Sequence, residues 1–438
     1  MPVLVLASLL LPSPAAAFCG TYVSSYEEAP TNAASEVAIV RQGNRTTLTV
    51  ANDVQGETSD FAMVIPVPEV LAEDQIHVVD PTVFDRLRDY SNPREVSYTC
   101  EDFARDDRDD LDNDSLDSGT ADTAEDVTVE VEAQYIVGEY EVVILSATES
   151  TGLVTWLQDN GYYVPETSAD LLGEYIEGGA FFFAARVRPD AGIESGQMLS
   201  PLQFSYTSEP FGLPVRIGTL NSPGEQDLRI YAITDYEQGA VGISNYDRVD
   251  IDHDCMWQPE GEETLTAYYD RQLDDAFGNI AGAEWVTEYA WGNGNCDPCT
   301  GVIPSDDDVY SVGYQPDYHM GMYYWFTRIR MRYSPDTAHQ DLVLYETRTH
   351  EQTQMRFIQY ERELEQYFPI CNVGTVENGG TCDDDTAGDL EDELDGAGAT
   401  AGVGCGCTSA EGAAATPVLG GLLLVGAALR RRRAVVTR

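Results

Sequence analysis

The chain has no lysine: all 24 of its basic residues are arginine, and they face 76 acidic ones. The resulting formal net charge of −52 repels phosphate backbones and excludes nucleic acid as an ordinary partner. It favours solubility, divalent cations or a saline milieu in which self-repulsion is screened. Histidine is also scarce. The five residues His77, His253, His319, His339 and His350 form no H-E-x-x-H or similar arrangement. Ser146, Ser150 and Ser200 lack a G-x-S-x-G elbow, and acidic pairs are too frequent for a glycosidase-like carboxylate pair to stand out. No catalytic residue and no cofactor are therefore assigned from the sequence.

What is present speaks first of location. Val3–Leu11 is an apolar run, followed by Pro12-Ser13-Pro14 and Ala15-Ala16-Ala17. This reads as a signal peptide over 1–17, without the usual positive start and with its cut after Ala17. A lipoprotein-type cut before Cys19 fits Ala16-Ala17-Phe18 poorly. Cysteine usage agrees with an oxidising compartment. Cys19, Cys100, Cys255, Cys296, Cys299, Cys371 and Cys382 are candidates for disulfides, and their odd number leaves one free, modified or paired outside the set.

The last segment, 404–438, has three parts in order: Cys405 and Cys407 in a GCGC motif, an apolar stretch over 413–429, and Arg430–Arg433. As a helix the stretch would be about 25 Å long against a hydrocarbon core of about 30 Å. That short length, its Gly and Ala content and Pro417 suit a transient stop-transfer segment. It has no polar face of period 3.6, which a core helix would need. The arginines hold the C-terminus inside the cell, which puts the rest outside. The pattern resembles the C-terminal sorting domain of myxobacterial surface proteins (MYXO-CTERM type). That resemblance implies processing by a membrane protease near Cys405 or Cys407, with possible lipidation, and display at the outer surface.

Between these ends the pattern is β-rich. Glu36–Arg41 and Arg45–Ala51 read as a hairpin around Gln42-Gly43-Asn44, and Phe61–Val67 as a buried strand stopped by Pro66 and Pro68. Further strands are expected in Val127–Val137, Glu139–Ala147, Ala180–Val187, Leu202–Tyr206, Pro214–Thr219, Leu228–Thr234, Val241–Tyr246, Trp325–Tyr333, Leu342–Tyr345 and Met355–Tyr360. Helices are expected in Val78–Tyr90, capped by Asp80 or Thr82, from Ser150 to a stop at Gly161, in Ser168–Glu177 and in Thr264–Phe277. The acidic insert 101–126 is nearly free of large apolar groups and is expected to be disordered. Asp110, Asp112 and Asp114 have the first spacings of a calcium loop, but Ser115 and Ala121 stand where glycine and glutamate are required, so a solvated charge run is the better reading.

The predicted fold class is α+β: mixed or antiparallel sheets with a few short helices, a disordered acidic insert and a C-terminal hydrophobic tail. The predicted organisation is a body over 18–370, a small disulfide loop Cys371–Cys382 with an acidic linker, together 371–403, and the sorting signal over 404–438.

Several blocks of the body, in order, carry a further resemblance: Phe18-Cys19-Gly20, Asp60–Pro68, Val137–Ala147, Gly152–Pro165, Leu199–Phe204, Leu213–Gly218, Thr287–Cys299 and Thr327–Tyr333. Together they resemble the bacterial domain-of-unknown-function family 2330 across most of residues 18–350. The resemblance implies an extracytoplasmic location and no particular activity.

Two features hold chemical interest. Cys296-Asp297-Pro298-Cys299 can be a redox dithiol, half of a zinc site or a structural disulfide. It follows a loop rather than opening a helix and lacks a second ligand pair, beyond what His253 and Cys255 could offer, so the structural reading is preferred. Arg328, Arg330 and Arg332 share one face of a strand and could take an anion, but surplus acids can pair with them. The expectation is a non-enzymatic envelope protein that meets an unknown surface partner. The alternative is an extracytoplasmic enzyme, either a thiol–disulfide oxidoreductase through Cys296 and Cys299 or an unrecognised hydrolase.

Overall fold

Alternation along the strands decides how the layers stack. In Leu202–Thr207 the side chains of Leu202, Phe204 and Tyr206 enter one apolar core, and Gln203, Ser205 and Thr207 take the opposite side. In Ser35–Gln42, Val37 and Ile39 enter that core, whereas Ala38 and Val40 enter a second one on the other side of the sheet. A sheet apolar on both faces must be covered on both.

The computed structural model describes residues 15–16, 19–25, 30–32, 35–58, 60–100, 131–146, 150–164, 168–222, 224–259, 261–278, 282–293, 303–316, 322–377 and 379–380. Its larger sheet has 11 strands. Its path runs Asp247–Arg248, Glu284–Gly292, Tyr324–Tyr333, Gln226–Asp235, Ser35–Gln42, Arg45–Val54, Leu202–Thr207 and Ile76–Val78. It is mixed: Gln226–Asp235 runs parallel to Ser35–Gln42 but antiparallel to Tyr324–Tyr333. The second sheet has five antiparallel strands, in the order Thr21–Ser24, Phe61–Val67, Phe181–Val187, Tyr140–Leu145 and Val131–Val137.

The two sheets pack face to face. Val37, Leu48, Phe204, Ile230 and Met331 from the larger meet Phe61, Met63, Ile65, Val142 and Phe183 from the smaller in one core. The Phe183 ring stacks on Phe204 across this interface at 5.3 Å.

Helices close the outer faces. Helix α1 (Thr82–Ser91) covers the larger sheet with Val83, Phe84, Leu87 and Tyr90. On the smaller sheet lie α2 (Ser150–Asp159) and α3 (Ser168–Glu177), through Leu153, Leu157 and Leu172. Helix α4 (Leu265–Gly278) packs Tyr268, Tyr269, Leu273 and Phe277 near the far edge of the larger sheet. The short α5 (Asp306–Ser311) adds Val309 beside α1.

The fold is therefore α+β and β-rich, with mixed and antiparallel sheets and short helices, as the alternation predicts. Gly161 ends α2 at φ 88°, where a left-handed stop was expected. Three readings need correction. Pro214–Thr219 is not a strand: Ile217–Asn221 is a 3₁₀ turn. Pro66 does not stop its strand, which runs through it to Val67. Cys371 does not close a small loop with Cys382; it bonds to Cys255, 116 residues away, with the Cα atoms 5.0 Å apart. The folded body therefore extends past residue 370. The acidic insert 101–126, the linker from 381 and the sorting signal 404–438 with its segment 413–429 lie outside the described residues. Among the described residues no helix is long and apolar enough to cross a membrane.

Candidate functional site

The arginine stripe of Tyr324–Tyr333 faces outward, under α1 and α4, and its charges are met from within. Arg328 pairs through Nε with Glu288, and its Nη1 donates to Asn92 Oδ1. Arg330 grips Asp227 with Nε at 2.9 Å and Nη2 at 2.9 Å. Arg332 reaches Asp274 of α4 at 2.8 Å. Alongside, Arg88 of α1 holds Glu36, which also accepts from Tyr231 Oη at 2.7 Å. Tyr269 of α4 donates to Glu288 at 2.7 Å.

A β-bulge supplies the geometry. The register of Glu284–Gly292 against its neighbour shifts between Thr287 and Tyr289, so Glu288 is the extra residue and its carboxylate reaches the arginine face. Burial raises the Glu36 and Asp227 carboxyls, but the charges and hydrogen bonds of Arg88 and Arg330 overcome it, and both sit below the ordinary carboxylate range. These arginines are consumed in pairing within the fold, the outcome preferred over an anion site.

The cysteines separate into distinct roles. Cys255 and Cys371 form the long-range disulfide, and Cys100 is also disulfide-bonded. Cys19, a disulfide candidate by sequence, is instead a free and fully buried thiol. Burial pushes that thiol far up, and the nearby Asp341 charge adds to it, so it is not an available nucleophile. Asp341 itself is raised by burial, an effect that hydrogen bonds from the Arg216 backbone N–H at 3.0 Å and Tyr175 Oη at 2.8 Å partly offset. Cys296, Cys299, Cys382, Cys405 and Cys407 lie outside the described residues, as do Asp110, Asp112 and Asp114. With Cys255 in a disulfide, it is not a zinc ligand. Among the described residues no group of three or more His, Cys, Asp or Glu is placed to hold a metal.

An accessible concave feature lies at the opposite edge of the larger sheet. There the outer face changes from apolar to polar. Cross-strand pairing sets Gln203 opposite both Thr49 and His77, and Ser205 opposite Thr47. Arg45, Thr47, His77, Gln203 and Ser205 floor a groove of about 570 Å³ whose walls are Asp74, Val79 and Asp80 on one side and Tyr310, Tyr314 and Gln315 on the other.

The second wall is built deliberately. Ser305 caps α5: its hydroxyl accepts from the Asp308 N–H at 3.3 Å, and Asp308 accepts from the Ser305 N–H at 2.8 Å. Asp308 is bound in turn by Arg86 Nε of α1 at 2.6 Å, which fixes α5 beside α1. After α5 the chain turns at Gly313, φ 100°, and Gln42 exchanges two hydrogen bonds with the Gln315 backbone, at 2.7 and 2.9 Å.

Within the groove the polar groups differ in their commitments. Gln203 Nε2 is spent on Thr49 Oγ1 at 2.9 Å and the Ser311 carbonyl at 2.8 Å. Thr47 is 2% exposed, yet its Oγ1 has no hydrogen-bond partner among the described residues. Tyr310 presents its ring at 46% exposure.

Of the sequence-noted histidines, His77 lines this groove, and His350 is elsewhere, stacked on Tyr236 at 4.9 Å. Sequence reasoning missed both walls. The expected helix Val78–Tyr90 absorbed Val79 and Asp80, which precede the observed start at Thr82, and the capping signature Ser305…Asp308 that announces α5 was passed over.

A family model described as "Uncharacterized protein conserved in bacteria (DUF2330)" matches residues 13–344. No curated protein matches the chain. Among solved structures, baculovirus P35 is 11% identical, over 75% of this chain and 98% of that one, with a TM-score of 0.27. A mutated baculovirus P35 after caspase cleavage is 10% identical, over 48% of this chain and 73% of that one, with a TM-score of 0.25.

Proposed function

The chain belongs to this uncharacterized bacterial family, DUF2330, and from its geometry we propose that it is a surface-displayed envelope protein that binds a partner through the groove at the edge of its larger sheet. The observation that carries the reading is the contrast between two polar regions. The buried arginine stripe is spent on internal pairs. The groove keeps hydroxyl, imidazole and guanidinium groups turned to an open concavity of the size that ligands fill. The Ser205 hydroxyl, the His77 ring and the Arg45 guanidinium enter no hydrogen bond or ion pair among the described residues, while most other arginines there are paired.

Location follows from the two ends of the sequence. The leader exports the chain, and the tail with Cys405 and Cys407 is read by a sorting protease that leaves the body outside. A long-range disulfide and a strongly acidic body suit that setting. The membrane is met through 413–429 before processing, and the lasting partner is a component of the surface.

Two measurements on the mature protein from its native host test this reading. Mass spectrometry is expected to find the N-terminus at Phe18, processing near Cys405 or Cys407, and the Cys255–Cys371 bridge. Binding to isolated envelope is expected to disappear when Ser205→Trp fills the groove floor. An intact cytosolic polypeptide with reduced thiols would refute display, and undiminished envelope binding by the Ser205→Trp protein would refute the groove.

A further inference from the structure

We infer that the groove takes a neutral saccharide, laid over the polar face of the sheet and stacked on Tyr310; this rests on the groove being the binding site.

Charge narrows the ligand first. The body is strongly anionic, and Asp74 and Asp80 stand on the rim, so a polyanion is repelled from the approach. Arg45 and His77 line the same space, which disfavours a cation. An apolar ligand would strip water from Ser205, His77 and Arg45 and return no hydrogen bond. What remains is a neutral ligand rich in hydrogen-bonding groups.

Geometry separates a saccharide from a peptide. A peptide that joins a sheet does so at an edge, through the backbone ladder. Although Ile76–Val78 is the edge strand, the groove opens over the face of the sheet and is lined there by side chains of Arg45–Val54, Leu202–Thr207 and Ile76–Val78. Hydroxyls such as that of Ser205 both donate and accept, as a sugar hydroxyl does. The Ser205 hydroxyl has no hydrogen-bond partner among the described residues and lines the groove, whereas Thr47 Oγ1 is sealed beneath the Gly313 turn. Tyr310 supplies the exposed ring against which the apolar face of a pyranose packs, while Tyr314 Oη is tied to the Tyr323 carbonyl at 2.7 Å and holds the wall still.

The test is titration of the full mature protein, by calorimetry and by ligand-observed NMR, with neutral gluco-, galacto-, manno- and N-acetylglucosamine oligomers of two to six units. Heparin fragments and a pool of uncharged hexapeptides are titrated alongside. At least one neutral oligomer is expected to bind. Tyr310→Ala should weaken it tenfold or more, Tyr310→Trp should preserve it, and Ser205→Ala should weaken it several-fold. Tyr310 is a surface side chain, so unchanged thermal melting of its variants controls for folding.

Saccharide binding indifferent to Tyr310→Ala overturns the proposal. Binding of hexapeptide or heparin that Ser205→Trp abolishes, with no neutral oligomer bound, overturns the saccharide assignment and leaves the groove as the binding site. Silence of every probe, together with envelope binding that Ser205→Trp does not alter, overturns both.

Discussion

Arg328 and Glu288 form an ion pair within the larger sheet with side chains 3% and 0% exposed. Such a pair is held by its surroundings as much as by its own attraction: Asn92 and the Arg88 carbonyl accept from Arg328, Tyr269 donates to Glu288, and Tyr231 lies 5.7 Å beneath the guanidinium. Removing one partner strands the other charge in a medium that cannot solvate it, at a cost of about 3–5 kcal/mol. Arg328→Met and Glu288→Leu are each expected to destabilise by that order in urea denaturation. The double variant should recover much of the loss, because two apolar side chains remove both charges together. Strictly additive losses would show that the two residues act independently.

The pH dependence of stability should carry two opposite contributions. Glu36 and Asp227 sit below the ordinary carboxylate range in the folded state, so the stability they supply is complete above that range and is lost as pH falls through it toward their lowered values. Asp341 is raised, so the folded state holds its proton more tightly than the unfolded chain. Its contribution is complete below the ordinary carboxylate range and is lost as pH rises through the raised value. Urea midpoints measured from pH 3 to 7 are expected to rise with pH in the parent protein. Asp227→Asn should flatten the acid limb, and Asp341→Asn should raise stability at neutral pH relative to pH 4. An unchanged profile in both variants would remove these groups from the account.

Cysteine chemistry offers a sharper contrast. Cys19 is sealed in the core between the sheets, and Cys255 with Cys371 closes a segment of 116 residues. Iodoacetamide followed by peptide mapping is expected to leave Cys19 unmodified in the native protein and to modify it fully in guanidinium. Cys255→Ser should lower stability by about 2–5 kcal/mol, as loss of a long-range crosslink does. Rapid native alkylation at Cys19 would mean that the Thr21–Ser24 edge of the smaller sheet opens readily.

Much of this architecture was legible because burial enforces period. Phe181–Val187, Gln226–Asp235 and Tyr324–Tyr333 each contain a run whose apolar residues leave no alternative to a strand, and α3 shows its apolar stripe in Leu171, Leu172 and Tyr175. The groove was less legible for a physical reason. Its floor is the polar side of strands identified by their apolar side, and polar residues at period two look like any solvated face. Glu288 was hidden for another reason: a bulge breaks the alternation by which a strand is read, so Glu284–Gly292 did not announce itself. Disulfide partners depend on topology, and nothing local in Cys371 points across 116 residues to Cys255.

The wall of the groove depends on Gly313. Its φ of 100° is unfavourable for any residue with a Cβ, and a Cβ built there would stand 2.4 Å from Thr47 Cγ2 and 2.8 Å from Thr47 Cβ. Gly313→Ala therefore has to distort the backbone or lift the turn off the sheet, at a cost of about 1–3 kcal/mol. Helix α5 keeps its cap at Ser305 and its pairing with Arg86, so the lifting should be confined to the chain after it. The expected result is a modest fall in melting temperature together with a loss of hydrogen-exchange protection at the Gln315 amide, which Gln42 otherwise holds at 2.9 Å. Thr47→Ser in the same background removes the nearest methyl and should restore part of that protection. If Gly313→Ala leaves both stability and the Gln315 amide untouched, the turn does not close on Thr47, and the groove lacks the rigid wall that its binding role requires.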